Sequence, residues 1–440
     1  MRSIYIEFEV LARDFLWRFR LSQLLADLGF QVFYGWRFRL AKYCLLTARP
    51  GDIFISKDLY RSRETVFSEM KAKGVYVIGM YEESLMVYGW PTAFLAYIGA
   101  LRSANAVLTF SKYEKIVVKQ VAGKINPKLL IFDVNHPRFI NDYCEASINK
   151  CGVERYLVAF SETFNRTASD DRFKFKMMKE ELSLYGLSFD SEDRHSRRDK
   201  EMLKSNRRLM RAVLRYKKIY RDVTICLRFH PSESRSWVKK VQAHLERKYI
   251  GITISCNTVP IADEFHDNPI LMHTNCTTAI DAFFNKVRTI SCFPLEPWDV
   301  HEANYQELWG VPARTEIEVH ETMLKAHMIE PSYGRTDITK IFFGPPSYQS
   351  VLDAVLGICS PTQDFMAKIT EHANKNRTSF TRLYVWLYRI LGRTLHRLKV
   401  DYVYQRSLDL TKRKVSVEDC KRVSHIEIAG RSIIKLIRSR

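Results

Sequence analysis

A histidine followed by proline at the end of an apolar run is the strongest chemical signal in the chain. Leu227-Arg228-Phe229-His230-Pro231-Ser232-Glu233 follows the strand-like run 223–227, and ligands bind at the C-terminal edge of open α/β sheets. Pro231 fixes the turn, so the His230 imidazole and the Arg228 guanidinium are expected at that edge, where both suit a phosphate. A capped turn with a structural histidine is the plainer alternative. Further on, His273-Thr274-Asn275-Cys276-Thr277-Thr278-Ala279-Ile280-Asp281 reads as a strand end, a hydroxyl- and amide-bearing turn, then a helix. Free N–H groups and the positive end of a helix dipole meet there, and Thr277 and Thr278 add hydroxyl donors. Asp281 either bonds a ribose hydroxyl or complements the dipole, while simple N-capping by Thr274 or Asn275 gives the same pattern.

The first half contributes acids. Glu7 and Glu9 end the first strand-like run, and Glu82-Glu83 follow another. Carboxylates at strand ends beside an interdomain cleft can act as general base toward an acceptor hydroxyl, although surface pairing explains many Glu-Glu sequences. Arg13 and Lys57 also fall just past strand ends, where they can steady a negatively charged substrate. Asp170-Asp171 lies in a polar run and reads as a solvated loop, so no essential metal and no cofactor is expected. The phosphate-loop, dinucleotide-binding, zinc-protease and nucleophile-elbow signatures are all absent.

The elements that must hold these residues alternate. Strand-like runs at 3–8, 31–34, 52–56, 74–78, 106–110 and 128–132 are separated by helical stretches, one of them Leu11–Leu28, which stops at Gly29. A second series follows at 155–160, 223–227, 251–255, 269–273 and 287–292, with helices expected over 200–221 and 277–284. Strand, helix, strand repeated in this way predicts parallel, doubly wound sheets. The polar run 190–198 reads as an exposed loop. The expected organisation is an N-terminal Rossmann-like domain over 1–150, a C-terminal Rossmann-like domain over 151–360 and a basic helical extension over 361–440.

At 440 residues the chain is too long for one core. Its 69 Lys and Arg against 49 Asp and Glu give +20, which implies a polyanionic neighbour. Residues 361–440 hold 18 Lys and Arg and 7 Asp and Glu, a net of +11. Within them, 381–399 sets Arg389, Arg393 and Arg397 opposite Leu383, Trp386, Leu387, Ile390, Leu391, Leu395 and Leu398, a basic amphipathic helix suited to an anionic inner-membrane surface or to packing on the protein body. The tail from Arg406 onward shows no clear structure. Residues 84–101 are uncharged but carry Gly89, Pro91 and Gly99, which favours a buried segment over a membrane span. Nine scattered cysteines and an acid-bearing N-terminus point to a reduced, cytoplasmic protein.

These residues resemble those of the bacterial surface carbohydrate biosynthesis protein family. The resemblance runs over about 3–310 through Ile6-Glu7-Phe8-Glu9-Val10 with Arg13, Gly74-Val75-Tyr76-Val77-Ile78 leading to Glu82-Glu83, Asn135-His136-Pro137-Arg138-Phe139 and the two segments that opened this section. It departs at Tyr81-Glu82-Glu83-Ser84, where Asp-Glu-Glu-Gly is usual, and at Asn135-His136-Pro137-Arg138, where Gly-Asn-Pro-Arg is usual. The family looks like GT-B glycosyltransferases and is similar in its C-terminal half to CDP-glycerol glycerophosphotransferases and capsule Kdo transferases. The resemblance implies two doubly wound domains facing a cleft and a nucleotide-sugar donor, with a CMP-activated acidic sugar preferred. The donor would be held by Arg228, His230, Thr274, Asn275, Thr277, Thr278 and Asp281. It also implies a polysaccharide or lipid-linked acceptor near Glu7, Glu9 and Arg13, with Glu82 or Glu83 as base. A 2-epimerase or glycerophosphotransferase would use the same donor half. A nucleic-acid-binding protein is the competing non-enzymatic reading, and no recognition-helix motif or RNA-binding aromatic signature supports it.

Overall fold

A computed structural model describes residues 2–9, 14–80, 98–139, 155–161, 164, 176, 192–230, 233–255, 261–265, 269–274, 276–294, 309–330, 347–359, 423–427 and 432–436. The chain splits into two compact units, one drawn from Met1–Ser84, Leu95–Arg138 and Pro345–Arg440, the other from Leu85–Phe94 and Phe139–Gly344.

In the first unit, β1 (Ser3–Phe8), β2 (Gln31–Trp36), β3 (Ile53–Ser56), β4 (Tyr76–Met80), β5 (Ala106–Thr109) and β6 (Leu130–Asp133) form a parallel sheet. Every residue of β1, β3 and β4 is buried, as strands covered on both faces require. Helices α1 (Leu16–Asp27), α2 (Arg37–Thr47), α3 (Glu64–Ala72) and α4 (Lys112–Ile125) connect them. Two of these helices end alike. Gly29 and Gly74 take positive φ of 94° and 77°, and the next residues, Phe30 and Val75, donate back to the Leu25 and Met70 carbonyls at 3.2 and 3.0 Å. Such a closure turns the chain sharply into the following strand. Before α4, Ser111 accepts the Glu114 N–H while the Glu114 carboxylate reaches back to the Phe110 N–H, a reciprocal cap that fixes the entry of the helix.

The strand order is β2-β1-β3-β4-β5-β6, so the winding reverses between β1 and β3. Beyond β2, the short strands β13 (Val423–Glu427) and β14 (Ser432–Leu436) add an antiparallel pair, in a tail for which the sequence suggested no structure. Helix α10 (Gln349–Cys359) also returns to this unit, packing Val351, Leu352, Val355 and Ile358 into the same core as Ile4 and Ile6. The sequence placed that stretch in the second domain. The sequence suggested no helix there, and nothing local in it encodes the sheet this helix covers.

In the second unit, β7 (Arg155–Ala159), β8 (Thr224–Arg228), β9 (Ile252–Ile254), β10 (Ile270–His273), β11 (Thr289–Cys292) and β12 (Val311–Ala313) are again all parallel, in the order β12-β11-β10-β7-β8-β9. Reversal falls between β7 and β10. Its helices are α5 (Glu192–Ile219), α6 (Arg235–Lys248), α7 (Ile261–Glu264), α8 (Thr278–Phe284) and α9 (Glu316–Leu324). Helix α5 takes in most of the polar run that the sequence suggested was a loop. From Lys200 onward most of its charged residues are exposed, while Leu209, Val213 and Tyr216 fill the core.

Both units are Rossmann-like. Their reversal points are the positions at which such sheets present ligand-binding crevices. Among the described residues, no helix is long and apolar enough to cross a membrane, and Cys44, Cys226, Cys276 and Cys292 are free. The uncharged stretch is described only from residue 98 onward, where Gly99–Ser103 forms a buried 3-10 turn, and the basic stretch 381–399 lies outside the described residues.

Candidate functional site

The carboxyl ends of β7 and β10 lie side by side, with Ala159 opposite His273 in register. Ser161, just past β7, approaches Thr274, just past β10, with hydroxyl oxygens 3.4 Å apart. Asn206 of α5 joins them through its side-chain oxygen, which accepts from Thr274 and lies 3.5 Å from the Ser161 hydroxyl. This polar set sits at the reversal point of the second sheet. Of its three members the sequence identified only Thr274. The missed signal was Ser205-Asn206, two short polar residues on the buried side of a helix whose neighbouring inward positions, Met202 and Leu209, are apolar.

Across the same strand ends, register aligns Arg228, Ala159, His273 and Ser291 in one row. Neighbours in register face the same side of a sheet, and the small Ala159 separates the Arg228 and His273 side chains. The Arg228 Nη1 donates to Glu264 at 2.7 Å and to the Ser255 hydroxyl at 3.2 Å. Arg228 is therefore held by an acid from α7, a partner that the sequence did not suggest. His273 is fully buried, and among the described residues neither its ring nitrogens nor the Ser291 hydroxyl beside it has a hydrogen-bond partner. Burial pushes the His273 imidazole down to about 3, so it stays neutral near pH 7.

His230 sits two residues past β8, half-buried, and its carbonyl accepts the Glu233 N–H at 2.9 Å. The Glu233 carboxylate in turn accepts the Phe164 N–H at 2.6 Å, linking the turn after β8 to the loop after β7. At the start of α8, Thr277 and Thr278 are half-buried and Asp281 is buried. The Cys276 thiol donates to the Thr278 hydroxyl at 3.0 Å. The structure thus brings Arg228, His230, Thr274, Thr277, Thr278 and Asp281 to the carboxyl edge of one sheet or the turns beyond it. Asn275 and Pro231 lie outside the described residues.

The first unit has its own polar centre at the β1/β3 reversal. Glu7, fully buried, accepts from the Ser56 hydroxyl at 2.7 Å, the Lys57 N–H at 2.9 Å and the Arg63 guanidinium at 2.8 Å. Glu9 is about one-third exposed and pairs with Arg37 at 2.8 Å and with Lys57. Arg37 also reaches Asp58 at 2.8 Å. Three acids and three bases balance there. Burial works against the Glu9 charge, but Lys57 and Arg37 hold its carboxyl below the usual range. Arg13, Glu82 and Glu83 lie outside the described residues.

Asp58 behaves oppositely to Glu9. Burial and the Glu7 charge push its carboxyl up to about 6, against the opposing pull of Arg37, Arg63 and Lys57. A group that holds its proton more tightly folded than unfolded stabilises the fold below its unfolded value and loses that contribution as pH rises through its folded value. Stability is expected to decline from about pH 4 to pH 6 through this group, and the Asp58→Asn variant to flatten that decline. Urea unfolding at pH 4, 5, 6 and 7 measures it, and identical pH profiles for the two proteins would refute the assignment.

No family model matches the chain, and no curated protein matches it. Among solved structures, it is similar to the Methanocaldococcus jannaschii UDP-GlcNAc 2-epimerase in complex with UDP-GlcNAc and UDP, at 10% identity and a TM-score of 0.48, over 81% of this chain and 99% of that one. It is similar also to the wall teichoic acid polymerase TagF, at 11% identity and 0.47, over 85% and 90%. For S. aureus MnaA bound to UDP the values are 10% and 0.44, over 81% and 98%.

Proposed function

We propose that the chain is a glycosyltransferase of the GT-B type, moving a sugar from a nucleotide donor onto a surface polysaccharide or its lipid-linked acceptor. The observation that carries this reading is the β7/β10 reversal point, where Ser161, Thr274 and Asn206 converge and where α/β sheets of this winding hold nucleotides. The second unit binds the donor. His230, with the Thr277 and Thr278 hydroxyls, stabilises the leaving phosphate as the glycosidic bond to it breaks, and Arg228, fixed by Glu264, adds positive charge beside it. No metal is needed in this scheme. The first unit receives the acceptor near Glu9, whose carboxylate keeps an exposed edge, and Arg13 steadies the acceptor's negative charge. Glu82 or Glu83 takes the acceptor hydroxyl proton, and the donor is a CMP-activated acidic sugar. The enzyme works in the cytoplasm, at the inner face of the membrane.

Thermal unfolding of the purified chain with CMP, CDP, UDP and GDP tests the donor half. A nucleotide at a hundredfold excess over its dissociation constant adds about 2.7 kcal/mol, which is a rise of roughly 5–10 °C for a unit of this size. CMP is expected to give that rise. A rise with UDP alone would replace the donor, and no rise with any nucleotide would overturn the reading. Product analysis separates transfer from epimerisation, since only transfer requires an acceptor.

A further inference from the structure

Helix α5 carries eleven Lys and Arg and four Asp and Glu in 28 residues, and its cations from Lys200 onward have different fates. Three are engaged by the body of their own unit. Arg208 lies 4.3 Å from the centre of the Phe293 ring, Arg215 pairs with Glu316, and Lys217 is buried against the Arg221 and Val223 carbonyls. Four others, Lys200, Lys204, Arg207 and Arg211, form a row spaced four, three and four apart, which is one face of a helix over about 16 Å. All four are exposed. Among the described residues, Lys200, Arg207 and Arg211 have no ion pair, and Lys204 has only a long surface contact to Glu201 at 3.6 Å. Bare cations in a row repel one another, so this face is least stable without a counter-charge.

The row edges a groove of about 590 Å³. Its floor is apolar, made by Leu203 and Met210 from the same helix and Phe164 from the loop after β7, whose ring stacks on Trp237 at 5.3 Å. Among the described residues its floor offers a single ring, Phe164, and otherwise aliphatic side chains. A nucleic acid would find phosphate partners there but little aromatic surface on which to stack its bases. A phospholipid bilayer offers both halves of the match, anionic headgroups for the four cations and acyl chain for the floor.

We propose that the face of α5 bearing Lys200, Lys204, Arg207 and Arg211, with the Phe164–Leu203–Met210 groove behind it, is a docking surface for an anionic phospholipid bilayer. This surface is independent of the proposed chemistry and of residues 381–399. It makes the second unit itself a membrane-binding body.

Co-sedimentation of the full chain with vesicles tests it. Phosphatidylglycerol-containing vesicles should pellet the protein at 0.1 M salt and pure phosphatidylcholine vesicles should not. The double variant Arg207→Ala/Arg211→Ala should weaken partitioning about 30-fold, taking about fivefold for each charge. Lys239→Ala/Lys240→Ala removes the same charge from the exposed face of α6 and should change partitioning less than threefold. Both pairs are surface changes, and matched unfolding midpoints confirm that both variants fold. Equal losses in the two variants would reduce the effect to net charge and overturn the proposal. Vesicle binding that survives in Arg207→Ala/Arg211→Ala, or that is absent from the unaltered protein, would overturn it too. If the same variant instead abolishes binding to a single-stranded DNA 20-mer while vesicle binding persists, the surface belongs to nucleic acid.

Discussion

Replacing Glu7 by alanine is expected to destabilise the first unit by about 3–5 kcal/mol, lowering its unfolding midpoint by roughly 10 °C. The carboxylate is fully buried and accepts from Ser56, Lys57 and Arg63, so its removal strands the Lys57 N–H and the Arg63 guanidinium, while the Ser56 hydroxyl keeps the Asp58 carbonyl at 2.7 Å. Arg63 suffers most. Its side chain is 2% exposed, its Nε and Nη1 already have no hydrogen-bond partner among the described residues, and what remains is the Phe67 ring at 5.0 Å, the Phe38 ring at 5.6 Å and the charges of Asp58 and Glu9. A ring face attracts a guanidinium by about 1–2 kcal/mol at best, and neither acid replaces the lost hydrogen bond. Glu7→Gln should lose less, because an amide oxygen still accepts from Ser56 and the Lys57 N–H. Removing both charges, as in Glu7→Leu/Arg63→Met, should recover most of the loss, since apolar replacement of a whole buried pair is often neutral. Guanidinium unfolding of the three variants decides the matter. A loss below about 1 kcal/mol for Glu7→Ala would show that water screens the cluster and that Glu7 is no keystone of the β1/β3 reversal.

The strands were legible because most are short runs buried on both faces, and such runs stand out between helical stretches with polar faces. Eleven of the fourteen fall where apolar runs and turn residues placed them. The other three are β12, which contains a proline and is only three residues long, and the β13/β14 pair, which alternates in a highly basic tail. The β13/β14 pair docks on the edge strand β2, far away in sequence, which no local pattern encodes. The candidate site divides in the same way. His230 and Thr274 announce themselves by type and by position after a strand. Asn206 and Glu264 come from helices elsewhere in the sequence, and their part in the site depends on tertiary contacts. Glu7 shows the reverse. A carboxylate at a strand end suggested acceptor chemistry, whereas its surroundings are Arg63, Ser56 and a backbone N–H with no exposed surface left.

Replacing His230 by alanine is expected to lower the transfer rate by at least about 100-fold while changing stability by about 1 kcal/mol or less. The two expectations have separate physical grounds. Stability is insensitive because His230 is half-buried in a turn, and the turn is closed by its backbone carbonyl and the Glu233 N–H, a bond that alanine retains. Rate is sensitive because charge develops on the leaving phosphate only as the glycosidic bond breaks, and a donor aimed at that charge acts mainly in the transition state. The loss should therefore appear in kcat, with KM for the donor changed far less. His230→Gln offers the comparison, since its amide N–H can donate from nearly the same place and should restore part of the rate. A structural histidine predicts the opposite pattern, in which both variants lose stability and rate together. Steady-state kinetics beside thermal unfolding of the two variants separates these cases. An unchanged kcat for His230→Ala would remove the imidazole from the reaction and leave the Ser161, Thr274 and Asn206 set as the remaining ground for a donor site.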